Sequence, residues 1–115
     1  MGTTPLTAIA RSRRTEAGLT VELVDLAGDD EVLGRVRAAL PPGRGAVLEV
    51  VDTNGATGVV DRLFAALADE LRAIGRRRLT RVLDAADGAE RRLLVAQGFV
   101  ELRRDGEVVA MILDL

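Results

Sequence analysis

The chain has 115 residues and a net charge of -2, with 48% hydrophobic and 30% charged residues, a composition that suits one soluble domain with a real core. The absence of a basic excess and the presence of only two aromatic residues, both phenylalanine, argue against nucleic acid as a partner, and no apolar run approaches transmembrane length, so no membrane partner and a cytoplasmic location are expected. There is no Cys, His, Tyr, Trp or Lys, and all 16 basic residues are arginine, which removes the usual zinc ligands, thiol and Ser-His nucleophiles and Schiff-base lysines.

In chain order, residues 6–10 read as a short strand, 11–17 as a polar turn, and 19–26 as a half-buried strand with alternating apolar and polar residues, so the first two runs suggest a hairpin. Asp29, Asp30 and Glu31 before Val32, Leu33, Val36 and Leu40 predict a helix stopped by Pro41-Pro42-Gly43. A strand follows at residues 46–51. Val60, Leu63, Phe64, Leu67, Leu71 and Ile74 then recur at helical spacing, with Gly75 at the cap position. Leu79-Thr80-Arg81-Val82-Leu83 is the next strand, making a βαβ crossover with parallel strands. Asp87 and Glu90 have capping-box spacing before a short helix ending at Gly98. The chain closes with a strand from Phe99 to Arg103, the turn dipeptide Asp105-Gly106 and a final strand at 108–113.

The loop 52–58 thus joins the carboxyl end of a strand to the amino end of the longest helix. Unpaired backbone NH groups and the helix dipole favour an anion there. Arg76-Arg77-Arg78, by contrast, reads as a solvated cluster complementing the helix dipole, in preference to a phosphate clamp.

From residue 48 onward the pattern resembles the carboxyl-terminal half of the GNAT N-acetyltransferase superfamily: strand, glycine turn, long helix ending in Gly, strand, short helix ending in Gly-Phe, and two strands. Val50, Gly58, Leu63, Leu67, Gly75, Leu79 and Gly98-Phe99 carry the resemblance. It implies an α/β fold, a single-domain mixed sheet flanked by helices. Within residues 1–115, residues 1–18 would supply an extra strand and turn, 19–47 the first strand and helix, and 48–115 the coenzyme-binding half. The short path from Pro41-Pro42-Gly43 to the strand at Ala46 implies that the amino-terminal half is truncated.

The resemblance further implies that acetyl-CoA or another acyl-CoA lies along Val50 and Val51 and on the turn formed by Asn54, Gly55, Ala56, Thr57, Gly58, Val59 and Val60. Gly55 and Val60 depart from the family's turn, and Leu94 stands where many members carry a tyrosine acid. Glu49 and Asp84 become the candidates for a base acting on an unknown amine acceptor; no metal is implied. Two functions follow. One is an N-acyltransferase or acyl-CoA-binding protein with reduced or lost catalysis. The other is a non-catalytic interaction or regulatory module working through a homodimer or a protein partner. For the second, Asp52-Thr53-Asn54-Gly55 also resembles the phosphoacceptor turn of STAS-type domains.

Overall fold

The computed structural model describes residues 8–27, 29–53 and 57–115. Among the described residues seven strands and two helices follow one another as β1 Ala8–Arg14, β2 Gly18–Asp25, β3 Glu31–Ala39, β4 Gly45–Thr53, α1 Thr57–Ala73, β5 Arg78–Asp84, α2 Gly88–Ala96, β6 Val100–Asp105 and β7 Val108–Asp114. The strands form one sheet in the order β1-β2-β3-β4-β5-β7-β6, antiparallel except for the β4–β5 pair.

Both helices lie on one face of this sheet. Leu19, Val21, Val36, Ala38, Ala46 and Leu48 turn inward from β2, β3 and β4 onto Leu63, Leu67 and Leu71 of α1. Leu79, Leu83, Val109 and Met111 continue the same face under α2, which inserts the fully buried Leu94. α1 meets the segment just after α2 through an edge-to-face contact of Phe64 with Phe99, centroids 6.0 Å apart, and a 2.7 Å hydrogen bond from Gln97 to Asp61. Overall extents of 46 × 31 × 18 Å match a slab of one sheet and one helical layer.

Several expected elements form for local reasons. Gly75 and Gly98 follow the two helices at φ +82° and +98°, the left-handed conformation that a cap demands and that glycine adopts without strain. Asp87 Oδ1 accepts the NH of Glu90 at 3.1 Å, forming half of the predicted capping box. The first two strands do pair as a hairpin, with Leu6 and Thr7 of the expected strand outside the described residues, and β1 runs on to Arg14 through residues expected to turn. At the last hairpin the two loop residues are Gly106 and Glu107, one position later than expected.

Residues 31–39 correct the sequence reading: they are a strand, not a helix. Their inward positions are Gly34, Val36 and Ala38, two of them too small to register as a hydrophobic alternation. A register shift opposite Leu23/Val24 places Val32 and Gly34 against consecutive residues of β2, so Leu33 leaves the period-two pattern. The small residues serve packing. A Cβ on Gly34 would stand 2.8 Å from Leu63 Cδ1 and 3.0 Å from Val59 Cγ1, so glycine lets α1 lie close to β3. Pro41 and Pro42 therefore end a strand and turn it into β4.

The expected truncation falls with the helix. β2 and β3 supply two strands ahead of β4, and β1 joins β2 through the short turn 15–17. Among the described residues no helix precedes α1, and the sheet face away from α1 and α2 carries no helix.

Candidate functional site

The parallel ladder between β4 and β5 is short. Gly45, Ala46 and Val47 pair with Arg78, Leu79 and Thr80, and there the pairing stops, although β4 continues to Thr53 and β5 to Asp84. The divergence has a local cause. On its other side β4 is bulged: Leu48 pairs with Ala38 and Val50 with Arg37, leaving Glu49 as the extra residue. A bulge bends its strand and increases its twist, so the upper half of β4 leaves β5 and a cleft opens between them.

α1 begins at Thr57, shortly beyond the end of β4 at Thr53. The first NH groups of a helix have no intrahelical acceptor and carry the positive end of its dipole. At Gly58 an added Cβ would meet no atom within 4 Å, and no left-handed backbone requires glycine. Val59 and Val60, 7% and 5% exposed, bury their side chains in the core. Val60, one of the two departures from the family's turn, is thus a core side chain of α1. Asn54, Gly55 and Ala56 lie outside the described residues.

Arg81 occupies the cleft. It sits between Leu79 and Leu83, on the parity of β5 that faces the helices, opposite the buried Met111. Its Nη1 donates to the carbonyl oxygens of Leu48 at 3.1 Å and Glu49 at 3.0 Å, bridging the separated strands. Its Nε and Nη2 donate to Glu90 Oε1 at 3.1 and 2.7 Å. Glu90 therefore spends its carboxylate on Arg81 and does not close the capping box. Sequence reasoning passed over this residue, though an arginine at the inward parity of a strand was the available signal.

The catalytic candidates are separated by their surroundings. Glu49 is exposed at the bulge and pairs with Arg37 Nε at 3.3 Å. Asp84 ends β5 with its carboxylate accepting the NH of Ala86 at 2.9 Å, an Asx turn that commits the side chain. Leu94 is fully buried in the core and has no access to the cleft. Val50 is exposed and Val51 half-buried. Arg76 donates to the carbonyls of Pro41 and Gly45, the latter at 2.7 Å, tying the β3–β4 turn to the end of α1. That role is structural. The 17 residues of α1 put this cluster about 24 Å from the helix amino end.

No protein-family model and no curated protein sequence matches the chain. Solved structures do. The GNAT domain of Streptomyces lividans PAT superposes with a TM-score of 0.73 at 18% identity, covering 87% of this chain and 62% of that one. PaiA N-acetyltransferase of Thermoplasma acidophilum, solved with coenzyme A, gives 0.75 at 12% identity over 86% and 62%. Spermidine N-acetyltransferase of Vibrio cholerae, solved with CoA and spermine, gives 0.68 at 15% over 85% and 66%.

The chain has the GNAT fold. It spans under two thirds of the length of the S. lividans and T. acidophilum structures. Among the described residues no helix is long and apolar enough to cross a membrane.

Proposed function

We propose that the chain binds an acyl-CoA in the β4–β5 cleft and serves as a small N-acyltransferase or acyl-CoA-binding protein. The observation that carries this reading is the ladder that ends at Val47/Thr80 beside a bulge, with a helix amino end shortly beyond β4 in the chain. The separated edge of β4 at Val50 and Val51 offers backbone groups to an extended amide arm. The NH groups of Gly58, Val59 and Val60 suit a pyrophosphate, and the open space at the Gly58 Cβ position suits close approach of that group.

A bound acyl-CoA would supply the activated thioester; the chain supplies position and polarisation. Backbone NH groups at the bulge are the donors available to a thioester carbonyl, and Glu49 is the carboxylate nearest in sequence to that bulge for accepting a proton from an amine. Asp84, held in its turn, is the weaker candidate. With no tyrosine in the chain, the leaving group receives its proton from water or from the acceptor.

A specific observation favours a second reading, a non-catalytic module of the same fold. Arg81 already satisfies the Leu48 and Glu49 carbonyls and is anchored by Glu90. Such a module would work through a second copy or another protein, in the cytoplasm as composition suggests. Val47, Val82 and Val100 lie exposed on the helix-free face and give that contact an apolar surface.

Calorimetric titration with acetyl-CoA and CoA separates the two readings. Saturable binding that Gly58→Asp abolishes supports the coenzyme site. Asp at this position suits the helix dipole and its Cβ has open space, so the added negative charge is expected to act on the phosphate. No binding to the wild type, or equal binding to both proteins, removes the coenzyme reading.

A further inference from the structure

The helix-free face carries a second feature, built on β1, β2 and β3, that meets the strand of the proposed coenzyme site at Val50 and through the Arg37–Glu49 pair. By register Arg11 of β1 stands opposite Glu22 of β2, and Glu22 opposite Arg35 of β3. In the adjacent row Arg13 stands opposite Thr20, and Thr20 opposite Arg37. With strands about 4.8 Å apart and alternate residues about 7 Å apart along a strand, the four arginines mark the corners of a rectangle of about 10 by 7 Å. They line an open groove of about 670 Å³ that Thr15 and Val50 help to close.

Two of the corners are fixed. Arg35 donates to Glu22 through Nε and Nη2 at 3.2 and 2.8 Å. Arg37 donates to Thr20 Oγ1 at 3.2 Å and pairs with Glu49. Its guanidinium also lies over Gly18, where a Cβ would come within 2.8 Å of Nη2 and 2.9 Å of the Ala38 carbonyl oxygen. The other two corners are free. The side chains of Arg11 and Arg13 make no hydrogen bond or ion pair with any described residue. Around the four guanidinium groups stand three carboxylates, Glu22 in the groove and Glu49 and Asp52 of β4 beside Arg37 and Arg35. The Arg11 and Arg13 side chains lie side by side on β1 with no carboxylate paired to them among the described residues.

We propose that this groove binds a small organic polyanion, a molecule with two or more carboxylate or phosphate groups, anchored by Arg11 and Arg13. A guanidinium presents a planar fork that matches either group bidentately, and two forks about 7 Å apart select ligands with two anionic ends over single anions. The groove volume falls in the range that small-molecule sites occupy. The proposal does not depend on coenzyme binding.

The test is a titration of the full chain at low ionic strength with citrate and, separately, with fructose 1,6-bisphosphate, followed by amide chemical shifts and calorimetry. Saturable binding below about 1 mM by either ligand, with shifts clustered at residues 11–13, 20–22 and 35–37, is the expected result. Tighter binding of citrate assigns a carboxylate ligand, and tighter binding of the bisphosphate a phosphate ester. The double variant Arg11→Gln/Arg13→Gln, whose side chains hold nothing in the fold, should keep the wild-type melting temperature and lose affinity by about tenfold or more. Arg72→Gln/Arg104→Gln removes the same charge elsewhere and should bind as the wild type does. Failure of both ligands to saturate, or equal losses in the two double variants, overturns the proposal.

Discussion

Replacing Glu90 by alanine tests whether the Arg81 bridge holds the cleft. The Arg81 and Glu90 side chains are 21% and 17% exposed, so the pair is screened far less than a surface pair. Glu90→Ala deletes two charge-assisted hydrogen bonds, at 3.1 and 2.7 Å, and leaves a mostly buried guanidinium held only by the Leu48 and Glu49 carbonyls. An exposed ion pair contributes at most about 1 kcal/mol, whereas breaking a buried one costs about 3 to 5 kcal/mol. With about a fifth of each side chain still in water, a loss of about 2 kcal/mol is expected, a fall of about 10 °C in Tm for a domain of this size. Urea unfolding of the wild type, Glu90→Ala, Arg81→Met and the double variant gives the coupling energy directly. The expected coupling is about 1.5 kcal/mol or more. A loss under about 0.5 kcal/mol for Glu90→Ala would refute the bridge, placing the pair among surface contacts that contribute nothing measurable.

Other variants probe separate links in the argument. Gly34→Val should destabilise by about 2 kcal/mol through overpacking against Leu63 and Val59, read by urea midpoint; a neutral result would mean that α1 does not sit against β3 as described. Gly75→Ala, at φ +82°, should cost about 1 kcal/mol in thermal unfolding, whereas Gly58→Ala should stabilise by up to about 1 kcal/mol while weakening any coenzyme affinity. Asp87→Ala removes the cap on α2 and should cost about 1 kcal/mol by the same assay. If the helix-free face pairs two copies, light scattering should report a dimer, and Val82→Glu with Val100→Glu should convert it to a monomer.

The second half of the fold was legible because its signals are local. Helical spacing from Val60 to Ile74, glycines just past two helix ends and Asp87 three residues before Glu90 each constrain their own segment, whatever packs against it. The first half was not legible at β3. Its inward side chains are Gly34, Val36 and Ala38, small because a helix far along the chain needs the space, while Val32, Leu33, Val36 and Leu40 mimic a helical face. The candidate site divides in the same way. The strand β4 and the long helix after it are legible in the sequence, but the divergence of β4 from β5 goes with a bulge whose partner, Arg37, lies on β3, where the sequence predicts a helix.

Arg81 and the arginine groove needed the assembled sheet for the same reason. The side chain of Arg81 has meaning only once β4 has parted from β5 and α2 has brought Glu90 to it, 9 residues along the chain. Arg11, Arg13, Arg35 and Arg37 become neighbours only through register, across a hairpin and a third strand. Composition and periodicity by themselves determined an α/β domain with a βαβ unit, because hydrophobic spacing and caps act within a few residues. Tertiary structure alone decided which strand bulges, which face stays bare and which charges face one another, because those depend on pairing between segments whose sequences do not encode each other.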